Sequence, residues 1–159
     1  RKTAVIRSKK TDGKISLKSS NSKIVKISGT SIIPLSPGQA TVTITAAQGR
    51  NYNTVSAKIS ISVRPLPVSS LSLKSSAKGQ ATASWKQAKS ITSYQIQYST
   101  NKNFSKGKII TISGSGKNSA TIKKLTSKKN YYVRVRAYKT INGKKNYGTY
   151  SSAKTVKVK

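Results

Sequence analysis

The sequence has no cysteine and no histidine, and its only carboxylate side chain is Asp12. Without cysteine no disulfide can staple the fold, and no thiolate can hold a metal. Paired-carboxylate hydrolysis needs two acids, and only one is present. A serine nucleophile would have lysine as its sole candidate base. That lysine would have to be buried, whereas the lysines here fall at outward or loop positions. Transition-metal and calcium sites want thiolates, imidazoles or several carboxylate oxygens. No catalytic residue, metal site or cofactor is therefore expected. An internal Lys–Asn isopeptide bond would need a nearby buried acid, and Asp12, placed in a turn, does not supply one. Gly114-Ser115-Gly116 is not a phosphate loop, because no helix follows it. Apolar runs stay far below the roughly 18 residues of a membrane-spanning helix, so no membrane insertion is expected. The chain starts at Arg1 with no apolar leader or transit-like stretch, which implies mature protein or a piece of something longer.

What is abundant is positive charge. Lysine and arginine total 32 against the one acid, a net charge of +31. The six arginines stand at 1, 7, 50, 64, 134 and 136, and the other 26 basic residues are lysines. An ordinary surface mixes signs. Here almost no ion pair can form, so the chain folds against its own repulsion. Such a surface attracts polyanions, with a strong dependence on salt. The basic residues are not one block. They recur beside Ser, Thr and Asn, within a chain that is 34% hydrophobic. A disordered basic tail would be richer in Pro or Gly and poorer in Ile, Val and Tyr. The composition describes an ordered β protein with a basic coat.

Two-residue alternation runs through the first half. Ala4-Val5-Ile6 reads as a short strand. Asp12-Gly13 then reads as a hairpin turn, since both positions tolerate positive φ. Lys14 to Ser20 (KISLKSS) and Lys23 to Ser28 (KIVKIS) are short strands around an Asn21-Ser22 turn. Gly29-Thr30 turns again before Ser31-Ile32-Ile33, and Pro34 and Pro37-Gly38 break the chain. Ala40 to Ala46 (ATVTITA) alternates cleanly, with Ala40, Val42, Ile44 and Ala46 inward and the threonines outward. After a loop from Gln48 to Thr54, Val55 to Val63 places Ile59, Ile61 and Val63 in register. No segment carries a helical i, i+3, i+4 apolar stripe of useful length.

Three pieces of this half carry a resemblance. They are Lys18-Ser19-Ser20-Asn21 after a strand, Gly38-Gln39-Ala40-Thr41-Val42-Thr43-Ile44, and Asn51-Tyr52 before the last strand. Residues 1–65 resemble a bacterial immunoglobulin-like (Big-type) module. The resemblance implies a Greek-key sandwich whose first strand is short or lies upstream. Arg64-Pro65-Leu66-Pro67 follows. Two prolines so spaced end a strand and stiffen a linker, which sets the domain boundary there.

From Val68 the pattern restarts. Leu71 and Leu73 mark one strand, Ala81 to Trp85 a second and Tyr94 to Tyr98 a third. Ile109 to Ile112 is a fourth, followed by the flexible stretch Ser113 to Gly116. Ala120 and Ile122 lead to Leu125. The strand from Tyr131 to Lys139 alternates strictly, with Tyr131, Val133, Val135 and Ala137 on one face. Leu125 stands six residues ahead of Tyr131, a spacing that suits a corner in which the tyrosine hydroxyl ties the turn to upstream backbone. Asn142-Gly143 sits in what reads as a long hairpin loop, and Thr155 to Val158 is the last strand. Trp85, Tyr94, Tyr98, Leu125 and Tyr131, with Val133-Val135-Ala137, make residues 66–159 resemble a fibronectin type III domain. One departure is Ser127, where many members place proline. The fold class expected is all-β, with two tandem β-sandwiches, an Ig-like Greek key and then fibronectin type III.

With Tyr131 inward, Tyr132, Arg134, Arg136 and Tyr138 form an outward row, with Gln95 and Gln97 on one side and Lys157 on the other. Basic groups interleaved with aromatics suit sulfated or phosphorylated polymers and single-stranded nucleic acid. The plain alternative is an ordinary exposed sheet face. A second group, Lys123, Lys124, Lys128, Lys129, Lys144 and Lys145, reads as solvated loop charge. The resemblances imply a non-catalytic spacer or adhesion segment, extracellular, in a bacterial cell-surface or secreted protein with neighbouring domains. The coat would contact anionic polymers such as wall teichoic acid or host glycans. The rival readings are a dedicated nucleic-acid-binding module and a subunit of a surface fibre. The first lacks a recognition helix.

Overall fold

A computed structural model describes residues 2–6 and 10–159, so Arg1 and Arg7 of the charge count lie outside the described residues. Among the described residues there are fourteen strands and no helix. The chain divides into two compact units, Arg1–Arg64 and Pro65–Lys159.

The first unit contains β1 (Ala4–Val5), β2 (Ile15–Ser19), β3 (Val25–Ser28), β4 (Ser31–Pro34), β5 (Gly38–Ala46) and β6 (Val55–Val63). They form two antiparallel sheets, ordered β1-β4-β3 and β2-β5-β6. Val25 and Ile32 of one sheet meet Ala40, Val42 and Val63 of the other in a small buried core. The alternation of β5 produces this directly, since residues two apart share a face. The expected hairpin at Asp12-Gly13 does not form. β1 pairs with β4 in the opposite sheet (Ala4 beside Ile32), while β2 pairs with β5. The chain at Asp12 is instead a crossing between sheets. Gly13 is required because a Cβ there would lie 1.8 Å from the Ala47 carbonyl oxygen. Asp12 Oδ2 accepts the backbone N–H groups of Arg50 and Asn51, each at 3.0 Å, and Asn51 Nδ2 at 3.2 Å.

The second unit contains β7 (Ser72–Lys74), β8 (Ala81–Ser84), β9 (Ser93–Ser99), β10 (Lys108–Ser113), β11 (Ser119–Ile122), β12 (Asn130–Ile141), β13 (Lys144–Tyr147) and β14 (Lys154–Lys157). One sheet runs β11-β8-β7. The other runs β10-β9-β12-β13, with β14 also paired to β12. Between the sheets lie Trp85, Tyr94, Ile96, Ile122, Leu125, Val133, Val135 and Ala137, all buried. Each large apolar side chain so buried contributes about 1.5–3 kcal/mol. The Trp85 and Tyr94 rings pack tilted, 5.2 Å between centroids. Tyr98 and Tyr131 pack against this core from its margin. The Tyr131 hydroxyl accepts the Thr126 N–H at 3.2 Å, which is the corner expected from its spacing to Leu125. At the Ser127 departure, the serine hydroxyl donates to the Lys159 carbonyl at 2.6 Å.

The hairpin at Asn142-Gly143 is tight, not long. β12 extends to Ile141, which faces Lys144 directly. Asn142 (φ 48°) and Gly143 (φ 73°) both take the left-handed region that a two-residue type I′ turn demands. β13 and β14 are separated by residues 148–153, which leave the ladder but stay tied to β12. Gly148 and Ser151 donate their N–H groups to the carbonyls of Ala137 (2.9 Å) and Val135 (2.8 Å).

Candidate functional site

β12 buries its odd positions, which leaves its even positions on the opposite face of the five-stranded sheet. The register sets Arg134 beside Gln97 and Arg136 beside Gln95. Arg134 donates from Nε and Nη2 to Gln97 Oε1 at 2.8 and 2.6 Å. Arg136 does the same to Gln95 Oε1 at 3.1 and 2.8 Å. The faces of the two guanidinium groups are covered by rings. Arg134 lies 4.1 Å from the centre of Phe104 and 4.2 Å from that of Tyr150. Arg136 lies 3.8 Å from Tyr147 and 4.5 Å from Tyr150. The result is a ladder of alternating ring and cation: Phe104, Arg134, Tyr150, Arg136, Tyr147. Each contact of this kind is worth about 0.5–2 kcal/mol, more as water is excluded. Tyr150 lies between two like charges on one strand face, and the glutamine oxygens offset the loss of hydration at their edges.

The ladder extends past Tyr147. Tyr138 packs on Tyr147 at 5.5 Å, and Lys145 Nζ sits 5.2 Å above the Tyr138 ring. Tyr138 is on the expected face yet only 5% exposed, because the β13 hairpin folds Tyr147 over it. Tyr132 is half-buried between Ser99 and Thr155. Lys157 is exposed at the end of the same face, opposite Asn130. The fold thus brings Arg134 and Arg136 together with Tyr138 beneath the hairpin, and sets Tyr132 and Lys157 at the far end. The alternation of β12 did not reveal Phe104, Tyr147 or Tyr150. A signal existed in Tyr147-Gly148-Thr149-Tyr150, where two rings flank a glycine. A Cβ on Gly148 would lie 2.7 Å from the Pro65 carbonyl oxygen, so only glycine fits at this close approach between the two rings in sequence.

Two sandwiched sheets, a buried tryptophan and a tyrosine-tied corner narrow the fold to a few sandwich families, and comparison decides among them. The model of the fibronectin type III domain matches residues 66–153, more than half of the chain. The chain belongs to the fibronectin type III family. No curated protein matches it in sequence. Among solved structures, it is similar to a two-domain fibronectin type III segment of chicken tenascin. There the TM-score is 0.62 and the identity 21%, over 81% of this chain and 71% of that one. It is also similar to the FN1–FN3 domains of chicken CNTN1, with a TM-score of 0.53 and 19% identity, over 78% of this chain and 44% of that one. At such identity the likeness shows the fold alone. Fibronectin type III domains are in general non-catalytic structural modules, common in multidomain extracellular and cell-surface proteins. No helix of the described residues is long and apolar enough to cross a membrane.

Proposed function

We propose that this chain is a non-catalytic spacer and adhesive segment of a bacterial cell-surface or secreted protein. In this reading a bacterial immunoglobulin-like domain (1–65) precedes the fibronectin type III domain (66–159), and the pair rests against anionic polymers such as wall teichoic acid or host glycans. The observation that carries the reading is the charge: +31 with a single acid. That acid is already taken up by the loop at Arg50 and Asn51. Nothing in the sequence of the second unit neutralises its lysines, so counter-ions must, and a polyanion would release them. The Arg134–Arg136 ladder contributes at its rim. Neither glutamine bond uses Nη1 of either arginine, and Tyr132 and Lys157 continue the same face.

Co-sedimentation with teichoic acid, heparin and duplex DNA at matched charge tests this reading. It predicts that all three polymers bind at low salt and that none is preferred. Absence of binding at low salt would overturn it. A strong preference for DNA, lost on Arg134→Ala with Arg136→Ala far beyond any two surface Lys→Ala changes, would replace it with a nucleic-acid role.

A further inference from the structure

The end of the second unit that carries the tyrosine corner holds a cavity of about 230 Å³. Its lining includes Tyr98, Thr100, Lys106, Lys108, Lys124 and Tyr131. The three lysines come from two segments: Lys106 and Lys108 from the end of the β9–β10 loop and the first residue of β10, and Lys124 from the turn ahead of Leu125. Their frames are braced. Ser99 Oγ accepts the Asn101 N–H at 3.0 Å and donates to the Ser105 carbonyl at 3.1 Å. Asn101 Nδ2 donates to Ser105 Oγ at 2.8 Å, and Ser105 N–H to Asn103 Oδ1 at 2.9 Å. Gly107 closes this loop where a Cβ would come 2.8 Å from the Phe104 carbonyl oxygen. On the other wall, Leu125 N–H donates to the Gly79 carbonyl at 2.9 Å. Lys106 (φ 53°) and Lys124 (φ 58°) both hold the left-handed backbone that residues with a Cβ adopt uncommonly. Such a conformation persists only where the surroundings impose it, and it often marks a functional site.

We infer that this cavity binds one tetrahedral oxyanion, a sulfate or phosphate ester, carried on a single sugar-sized ring. Three lysines line it, and the second unit contains no carboxylate side chain to oppose them. Lysine carries a compact point charge with three rotatable donors, and it binds phosphate groups in that way. The Tyr98 and Tyr131 rings, 6.4 Å apart and tilted by 47°, give the apolar wall against which a ring's C–H face can lie. Thr100 and Asn101 add polar residues to the lining. The volume falls below the roughly 300–1,000 Å³ of sites for drug-sized ligands, which restricts the occupant to one unit of a polymer. The inference deepens the polyanion reading and rests on it, but the two fail separately.

Titration of the full chain with glucose 6-sulfate, glucose 6-phosphate and glucose, at fixed ionic strength and followed by amide chemical shifts, tests the site. The expected result is saturable one-to-one binding of at least one ester, with shifts confined to residues around 98–108 and 124–131 and none for glucose. Which ester binds tells a sulfated from a phosphorylated source. The variant Lys106→Gln/Lys108→Gln/Lys124→Gln should weaken binding at least about tenfold, the effect of removing charge-assisted contacts. The charge-matched Lys86→Gln/Lys89→Gln/Lys117→Gln should change it less than about twofold. An unchanged amide spectrum away from the cavity establishes that each variant is folded. Equal losses in both variants, or no ester binding while heparin still binds, would overturn the site and leave the diffuse coat standing. Failure of heparin as well would overturn both.

Discussion

The two units solve the same packing problem with different means. The second closes a large core on Trp85, Tyr94 and the wholly buried Val133, Val135 and Ala137, and then covers its outer sheet face with a ladder of rings and guanidinium groups. The first has one aromatic residue, Tyr52, and it is 53% exposed. Its β6 faces Val42 and Ile44 through Ile59 and Ala57, yet Val55 is 64% and Ile59 38% exposed. A small core of Val25, Ile32, Ala40, Val42 and Val63 is supplemented by a polar clamp. Asp12 reaches loop amides 38 and 39 residues away, and Gly49 is there because a Cβ would meet Asp12 Oδ1 at 1.7 Å. The lesson is that an extreme cationic surface can be carried in two ways. A deep apolar core can absorb the repulsion, or the one available anion can be placed where a crossing strand and a loop must stay together.

Substitutions can break this comparison selectively, because Trp85 is the only tryptophan and its fluorescence reports on the second unit alone. Ile96→Ala removes a fully buried side chain at the centre of that unit and should cost about 2–5 kcal/mol. The fluorescence-detected urea midpoint should fall, while amide protection in β2 and β5 stays unchanged. Arg136→Ala removes two ring contacts and leaves the buried Gln95 oxygen without its donors. A loss of about 1–3 kcal/mol is expected in the same transition. Asp12→Ala should act on the first unit only, lowering protection at Arg50, Asn51 and β5 by about 1–2 kcal/mol with no change at Trp85. Tyr131→Phe deletes only the hydroxyl that takes the Thr126 N–H. About 0.5–1.5 kcal/mol should be lost from the second unit, with the fold retained by spectrum. An effect of Asp12→Ala on Trp85 fluorescence as large as that of Ile96→Ala would remove the distinction between the units.

Features set by neighbours in the chain were legible in the sequence. The alternation of β12 announces its buried face because side chains on a strand repeat every two residues. The Leu125–Tyr131 corner is equally local. Trp85 and Tyr94 stand out as large rings at inward positions. The ladder is half legible for the same reason: Arg134 and Arg136 share a face by periodicity, and the alternation of the neighbouring strand sets Gln95 and Gln97 on that face too. Phe104 comes from a loop 30 residues upstream of Arg134, and Tyr150 from a break in pairing, so neither contact follows from spacing. Asp12-Gly13 misled because Asp-Gly commonly makes a hairpin. The competing fact, that β1 finds its partner in β4, depends on which sheet offers an unpaired edge. The tightness of the hairpin at Asn142-Gly143 is not legible in the sequence, because Lys144-Lys145-Asn146 lacks apolar alternation. Its strand exists through its ladder to β12 and through Tyr147 packing on Tyr138.

The central proposal is that the charge of this chain is a binding surface rather than a by-product of solubility. Its most direct test is the affinity of the full chain for teichoic acid as ionic strength rises from low to physiological. Counter-ion release predicts a straight, steep decline of log K against log salt, with a slope of several units. A slope near zero, at any affinity, would contradict the account.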